Sequence, residues 1–178
     1  MSLGLNMRNK LFLLVITSLA IALSFSLALG SKQRSSTIQV MDRVFPEFTE
    51  YDLLLGDQTI TRSDITKSKY QLINIWASWC GICKTEHPFL NQLKIEGIPI
   101  YGINYRDNKL SAIKVLENDG NPYLKIINDH TGDLSIDLGV IGTPETYLVD
   151  QEGQIIKKVL GVLDQKTWND ELANYFEN

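Results

Sequence analysis

Cysteine and histidine are scarce in this chain of 178 residues, which contains two of each. Two cysteines allow one disulfide bridge, and with so few ligands a closed structural zinc site is not expected. The chain also lacks an excess of basic residues: Lys and Arg total 17 against 21 Asp and Glu, which gives a net charge of −4. Because a nucleic-acid-binding surface is usually basic, we expect no nucleic-acid partner. The scarcity of cysteine and histidine leads us to expect no bound metal.

The N-terminal region contains one long hydrophobic run. Residues 11–30, LFLLVITSLAIALSFSLALG, carry no charge, and about twenty such residues cross a membrane as a helix. We therefore predict a short cytoplasmic N-terminus at 1–10, a transmembrane anchor at 11–30 and a tether at 31–44. A cleaved signal peptide is the alternative, because Ala28-Leu29-Gly30 resembles a cleavage site, but the run is longer than the usual apolar region of about 7–15 residues.

The two cysteines form the motif Cys80-Gly81-Ile82-Cys83. A strand is predicted before it at Gln71–Trp76, and a helix from Cys80 to about Leu93. Two thiols three positions apart at a helix start can close and reopen a disulfide, and the positive end of the helix favours the thiolate of the first. A static bridge is the alternative, but so short a loop adds little stability. The residue after the second cysteine is Lys84, whereas a haem-attachment motif needs histidine there.

The remaining pattern predicts an α/β domain at residues 45–178. Strand and helix patterns alternate, which indicates right-handed βαβ crossovers in a mixed sheet with helices on both faces. A hairpin is predicted near the start, from 51–55 and 59–61. A second hairpin is predicted around Gln151-Glu152-Gly153, and an amphipathic helix at Gln165–Phe176 closes the chain.

Four segments, in this order, are similar to the CcmG/DsbE family: Cys83-Lys84-Thr85-Glu86-His87, Gly102-Ile103-Asn104-Tyr105, Gly120-Asn121-Pro122-Tyr123 and Gly142-Thr143-Pro144-Glu145-Thr146. Members of this family are membrane-anchored, periplasmic, thioredoxin-like reductases of cytochrome c maturation. The resemblance implies a thioredoxin-like fold, a central mixed β-sheet flanked by helices, with the domain on the periplasmic side of a bacterial inner membrane and a single-pass anchor. The family usually has proline after the first cysteine, whereas Gly81 stands here, so its redox potential is not carried over.

The resemblance also implies partners and a reaction. The substrate would be apocytochrome c, whose CxxCH disulfide is reduced before haem attachment. A membrane electron donor of the DsbD/CcdA kind would reduce the protein again, and other cytochrome c maturation components would be further partners. No cofactor is expected beyond the redox-active disulfide Cys80–Cys83. A general extracytoplasmic thiol oxidase or reductase and a non-catalytic apocytochrome-binding module remain as alternatives.

Roles for single residues complete the prediction. Cys80 is the expected nucleophile, exposed at the helix start, and Cys83 is the more buried resolving thiol. Pro144 is the expected cis-proline, which would leave the backbone of Thr143 free to pair with an extended substrate. An ordinary trans proline at the start of a strand is the alternative. Trp79 is expected on the surface beside the cysteines.

Acidic residues are expected near the thiols. Asn74 occupies the strand position at which thioredoxins carry a buried carboxylate, so an amide replaces that acid. Glu86 and Glu145 are the candidate acids in its place, and a solvated surface charge is the alternative for each. Negative charge near the cysteine pair disfavours the thiolate, which suits a reductant.

Overall fold

The computed structural model of the protein describes residues 6–30 and 36–177. The chain divides into two compact units, Met1–Arg34 and Ser35–Asn178. The described part of the first unit is the helix α1 (Met7–Gly30), which contains the predicted hydrophobic run. Within it, Met7–Ser26 is long and apolar enough to cross a membrane, with a mean hydropathy of 1.7. By length and composition this helix fits a membrane anchor or a signal sequence.

The described part of the second unit alternates strands with helices, as the sequence predicts. Its elements are, in order, β1 (Thr37–Val44), β2 (Thr49–Tyr51), β3 (Thr59–Thr61), α2 (Arg62–Ile65), β4 (Tyr70–Trp76), α3 (Cys83–Ile95), β5 (Ile100–Tyr105), α4 (Lys109–Asp119), β6 (Ile126–Asp129), α5 (Asp133–Leu138), β7 (Glu145–Asp150), β8 (Gln154–Leu160) and α6 (Gln165–Thr167). A π-helical turn (Trp168–Leu172) and a 3-10 turn (Ala173–Tyr175) follow α6.

Six strands form one mixed sheet in the order β1-β8-β7-β4-β5-β6, and β2 pairs with β3 in a separate sheet. The central strand β4 runs parallel to β5 and antiparallel to β7. Helix α3 makes the crossover from β4 to β5, and α4 makes the crossover from β5 to β6. The predicted mixed α/β sheet is therefore confirmed.

Apolar side chains cover both faces of this sheet, because successive residues of a strand point to opposite sides. Leu72 and Trp76 of β4 point to one face, which packs against α3 and α4, and we call it the α3 face. Ile73 and Ile75 point to the other face, which packs against α5, and we call it the α5 face. A strand buried on both faces is mostly apolar, which is why β4 was predictable despite the buried Asn74.

Three sequence predictions need correction. The tether predicted at 31–44 is wrong from Thr37 onward, because Thr37–Val44 is strand β1 and pairs with β8; residues 31–35 lie outside the described part. This edge strand is mostly exposed, so its sequence carries little hydrophobic alternation. The first hairpin begins at Thr49, two residues before the prediction. The single closing helix is replaced by short α, π and 3-10 turns.

Candidate active site

Three strand ends meet at one edge of the six-stranded sheet. Strand β7 begins beside the end of β4, since Glu145 pairs with Ile75 in antiparallel register. Strand β5 ends at the same edge, since Asn104 pairs with Trp76 in parallel register. The loop after β4 carries the cysteines and the loop before β7 carries Pro144. The topology therefore brings both predicted motifs to one edge.

Cys80 and Cys83 are joined by a disulfide, with their Cα atoms 5.4 Å apart. Cys83 is the first residue of α3, and Cys80 lies in the turn before it, where its N–H donates to Ala77 O at 3.1 Å. The predicted helix start at Cys80 is therefore three residues too early. The N–H of Cys83 donates to Sγ of Cys80 at 3.1 Å.

Solvent exposure does not distinguish the two sulfurs. Cys80 is 4% exposed and Cys83 is 3% exposed, so the prediction of an exposed Cys80 and a more buried Cys83 is wrong for the disulfide form. The hydrogen bond does distinguish them, because a helix-start N–H aimed at Cys80 Sγ stabilises negative charge on that sulfur. Cys80 is thus the sulfur equipped to be a thiolate.

Asp107 anchors the loop that leads to Cys80. Its buried carboxylate accepts the backbone N–H of Ser78 at 2.5 Å and the hydroxyl of Ser78 at 2.6 Å. It also accepts the side-chain amide of Asn104 at 2.9 Å and the N–H of Asn108 at 2.7 Å. Four donors on one carboxylate couple the end of β5 to the redox loop.

Trp79 lies on the surface next to the disulfide, with 59% of it exposed. Its Nε1 donates to the carbonyl oxygen of Arg106 at 3.2 Å, which fixes the indole against the segment that follows β5. The position predicted for Trp79 agrees with this arrangement. A mostly exposed aromatic ring beside a disulfide is able to provide an apolar contact for a peptide.

A buried hydrogen-bond network lies on the α3 face below the disulfide. Nδ2 of Asn74 donates to Oε1 of Glu86 at 2.8 Å and to the hydroxyl of Thr146 at 3.0 Å. Oδ1 of Asn74 accepts the hydroxyl of Tyr123 at 2.8 Å. The second carboxylate oxygen of Glu86 accepts the N–H of Leu163 at 2.9 Å. Asn74 therefore links the central strand to the only carboxyl in this network.

Glu86 is 1% exposed, so the surface-charge alternative is wrong for this residue. Burial raises the pKa of Glu86 to about 7, although the hydrogen bonds from Leu163 and Asn74 oppose the rise. Burial and the negative charge of Glu86 raise the pKa of Tyr123 well above its usual value, so its hydroxyl remains a donor. Glu86 lies three residues after Cys83 on α3, and residues at this spacing are neighbours on a helix.

Glu145 is also buried, at 2% exposed, so a solvated surface charge is wrong here too. It lies on the α5 face, opposite the network of Glu86, where Lys158 pairs with its carboxylate at 2.9 Å. The hydroxyl of Tyr147 donates to the same oxygen as Lys158, at 3.0 Å. The N–H groups of Ile141 and Gly142 donate to the other oxygen, at 2.8 and 3.1 Å. These contacts give Glu145 a role in shaping the loop before β7.

The Thr143–Pro144 peptide bond is cis. Pro144 is buried, and its carbonyl oxygen accepts the N–H of Gly161 at 3.0 Å. Within residues 6–30 and 36–177, the backbone N–H and C=O of Thr143 make no hydrogen bond. Thr143 thus presents unpaired backbone groups at the edge that carries the disulfide.

Three functional candidates were missed in the sequence: Asp107, Tyr123 and Lys158. Asp107 follows the end of a buried strand, where polar residues often reach a site at the sheet edge, and this was a usable signal. Tyr123 was identified only within the family-like segment Gly120-Asn121-Pro122-Tyr123, with no role of its own. Nothing local indicates that Lys158 is buried, because its partner Glu145 is on the neighbouring strand.

No group of three or more His, Cys, Asp and Glu that could hold a metal ion occurs among the residues that the structure describes. The chemistry that this arrangement supports is that of the disulfide itself. A Cys80 thiolate stabilised by a helix-start N–H can attack another disulfide, and Cys83 lies next to it to complete the exchange.

Known proteins are similar to this chain in sequence and fold. The redoxin family matches residues 39–176. The chain is 44% identical to the thiol:disulfide interchange protein DsbE of Pseudomonas aeruginosa over 78% of this chain and 76% of the relative. It is 35% identical to the protein of the same name from Escherichia coli over 93% and 91%. The solved thioredoxin domain of a thiol-disulfide oxidoreductase from Bacteroides vulgatus is 27% identical, with a TM-score of 0.63 over 79% of this chain and 99% of that one.

Proposed function

The chain belongs to the DsbE family of thiol:disulfide interchange proteins, within the redoxins, and is a protein-disulfide oxidoreductase. From this premise we propose that it acts as a reductant, and that its substrate is the disulfide of apocytochrome c CxxCH segments before haem attachment. The residues that carry the reaction would be Cys80 and Cys83. Glu86, Asn74, Thr143, Pro144 and Trp79 would support them, and Glu145 would act on the loop that carries Thr143.

The proposed reaction proceeds through a mixed disulfide. The Cys80 thiolate attacks one sulfur of the substrate disulfide, a Cys80–substrate bond forms, and the other substrate sulfur leaves as a thiolate that takes up a proton. The Cys83 thiol then loses its proton and attacks Cys80 Sγ, which closes Cys80–Cys83 and releases the second substrate thiol. Two electrons and two protons pass to the substrate. A membrane donor of the DsbD/CcdA kind would return them.

The observation that carries the proposed direction is the buried carboxyl of Glu86 on α3, one turn after Cys83. When ionised, the carboxylate disfavours a thiolate at the cysteine pair by charge repulsion. The reduced form of the protein is then less stable, whereas a strong oxidant has a stabilised reduced form. When protonated, the carboxyl is a proton source in a site that solvent does not reach. A pKa of about 7 gives both states at neutral pH.

The location we propose is the periplasmic face of a bacterial inner membrane. Helix α1 would be a single-pass anchor, with the redoxin domain outside the cytoplasm. An anchor would raise the effective concentration of the domain near both a membrane electron donor and a membrane-associated substrate. Two experiments test this location. Protease added to spheroplasts should digest the domain from the outside, and in untreated cells the protein should be in the membrane fraction.

Redox titration tests the proposed direction. The full chain in detergent micelles is equilibrated with a dithiothreitol or glutathione series, and the thiols of Cys80 and Cys83 are alkylated and counted. A reductant should have a potential well below that of the glutathione couple in an oxidising compartment. A potential as oxidising as that of thiol oxidases, about −120 mV, would contradict the proposal.

Trapping tests the substrate. Cys83→Ser should accumulate a mixed disulfide with an oxidised CxxCH peptide, because Cys80 can attack but no resolving thiol remains. Cys80→Ser is the matched control and should trap much less, since the helix-start N–H stabilises the Cys80 sulfur. A binding module would retain its activity in Cys80→Ala, and an enzyme would lose it. Equal trapping of an unrelated disulfide peptide would argue against apocytochrome c.

A further inference from the structure

Tyr123 is a fully buried tyrosine that the proposed reaction does not yet use. Its hydroxyl donates to Oδ1 of Asn74 at 2.8 Å, and its ring stacks on Trp76, with 5.6 Å between centroids and 19° between planes. Its own N–H donates to Oδ1 of Asn121 at 2.9 Å. Stacking and a local turn therefore hold the hydroxyl in one place.

The side chain of Asn74 has two chemically different ends. Its Nδ2 donates to Glu86 and Thr146, and its Oδ1 accepts from Tyr123. If the amide turned by half a rotation, Oδ1 would face Glu86. An oxygen can pair with that carboxyl only when the carboxyl carries a proton. The orientation of Asn74 therefore selects between the ionised and protonated forms of Glu86.

We propose that Tyr123 is a positioning residue of the redox site: its hydroxyl fixes the Asn74 amide with Nδ2 towards Glu86, and it thereby favours the ionised, hydrogen-bonded carboxylate beside the cysteine pair. The role that Glu86 then plays at the thiols rests on the proposed function. The hydrogen bonds that orient Asn74 are independent of the proposed function.

The other ionisable groups around Glu86 already have partners. The two cysteines form the disulfide, and His87 on the same helix pairs with the carbonyl oxygen of Gly120 at 2.8 Å. Asp164, next to Leu163, accepts the N–H of Thr167 at 2.8 Å. On the neighbouring strands, Lys158 and Glu145 pair with each other on the α5 face. Asn74 and the Leu163 N–H are thus the donors that favour the carboxylate of Glu86 against the effect of burial.

Removal of the Tyr123 hydroxyl leaves Oδ1 of Asn74 without a donor in a site that solvent does not reach. Such an acceptor is costly, and the amide can regain a donor by turning Oδ1 towards Thr146 or a protonated Glu86. Either change weakens the bond that favours the carboxylate. Tyr123→Phe should therefore raise the pKa of Glu86 and move its titration midpoint up by about one pH unit, the effect of one hydrogen bond to a charged group.

The measurement is an infrared titration of the oxidised full chain in detergent micelles. The C=O band of protonated Glu86 is identified by its absence in Glu86→Gln. Tyr147→Phe is the matched control, because it removes a hydroxyl that donates to the other buried carboxylate, Glu145. We expect the midpoint to rise in Tyr123→Phe and to stay in place in Tyr147→Phe. An unchanged or lower midpoint in Tyr123→Phe, or an equal rise in Tyr147→Phe, would overturn the proposal.

A double-mutant cycle tests whether Tyr123 acts through Asn74. In an Asn74→Ala background, Tyr123→Phe should no longer move the Glu86 midpoint, whereas a full shift there would mean direct action and refute positioning. Near-UV circular dichroism verifies the fold of each variant, and the two tyrosine variants decide the matter if Asn74→Ala does not fold. The titration needs no substrate or reductant, so a failure of the reductase proposal would appear in the redox titration and not here.

Discussion

Replacement of Glu86 with glutamine should remove a pH dependence from the stability of the oxidised protein. The pKa of Glu86 is about 7 in the folded protein, against an ordinary value of 4.5. Between these values the folded state binds more protons than the unfolded state. The stability that protonated Glu86 contributes is therefore complete below pH 4.5 and is lost as the pH rises through 7.

The size of the effect follows from the same two values. The interval from 4.5 to about 7 corresponds to a loss of about 3 kcal/mol between pH 4.5 and pH 8, at about 1.4 kcal/mol per pH unit. Solvent screening reduces this little, because Glu86 is 1% exposed. His87, whose pKa burial lowers, contributes in the opposite direction below its usual value of 6.5. The difference between wild type and Glu86→Gln cancels that contribution.

The assay is urea unfolding of the oxidised full chain at pH 4.5 and pH 8. The free energy of unfolding of wild type, minus that of Glu86→Gln, should fall by about 3 kcal/mol between the two pH values, which is about 1.5 M in urea midpoint at a typical slope of about 2 kcal/mol per M. Glu117→Gln, which removes the same charge from an exposed helix position, is the control and should show no such difference. A difference that stays constant or rises with pH would refute the burial argument.

Three further substitutions test the surroundings of the site. Asp107→Ala should lower the free energy of unfolding by about 3 kcal/mol and slow disulfide exchange, because two donors of the redox loop lose their charged acceptor; unchanged thermal unfolding and exchange rates would remove Asp107 from the site. Lys158→Met should cost about 3–5 kcal/mol in chemical unfolding, since it leaves the buried carboxylate of Glu145 without a cation, whereas the exposed control Lys166→Met should leave chemical unfolding nearly unchanged. Trp79→Ala should raise KM for a peptide disulfide several-fold with unfolding changed by less than about 0.5 kcal/mol, because its ring is mostly exposed; an unchanged KM would contradict a peptide contact.

Local patterns were sufficient to predict the central features of the fold. The apolar run of β4, the Cys80–Cys83 spacing and the turn signal at Gly153 each depend on neighbours in the chain, and each element is present. Strand β1 was missed because an edge strand with exposed side chains carries no apolar alternation. Its place in the sheet comes from pairing with β8, more than one hundred residues away.

The roles of buried polar residues depended on pairings between distant segments and were harder to predict. Asp107 follows β5 and accepts hydrogen bonds from Ser78, which follows the adjacent parallel strand β4. Neither residue has a local pattern that specifies the other. The prediction that Cys80 is exposed was wrong for a related reason. Both cysteines belong to the buried cluster of the α3 face, and the position of Cys80 in the sequence does not reveal this packing.

The two carboxylates beside this site differ because the sheet separates them. Glu145, on the α5 face, has a lysine partner, so its charge is balanced. Glu86, on the α3 face, receives an amide and a backbone N–H, which are neutral donors. A neutral partner leaves burial as the dominant influence, and this is why Glu86 titrates near neutral pH. A carboxylate in place of Asn74 would stand 2.8 Å from Glu86, and two such groups cannot both ionise. The amide on β4 and the acid on α3 are therefore complementary: the buried acid lies on the helix, and Asn74 on the strand can donate to it because an amide is not itself an acid.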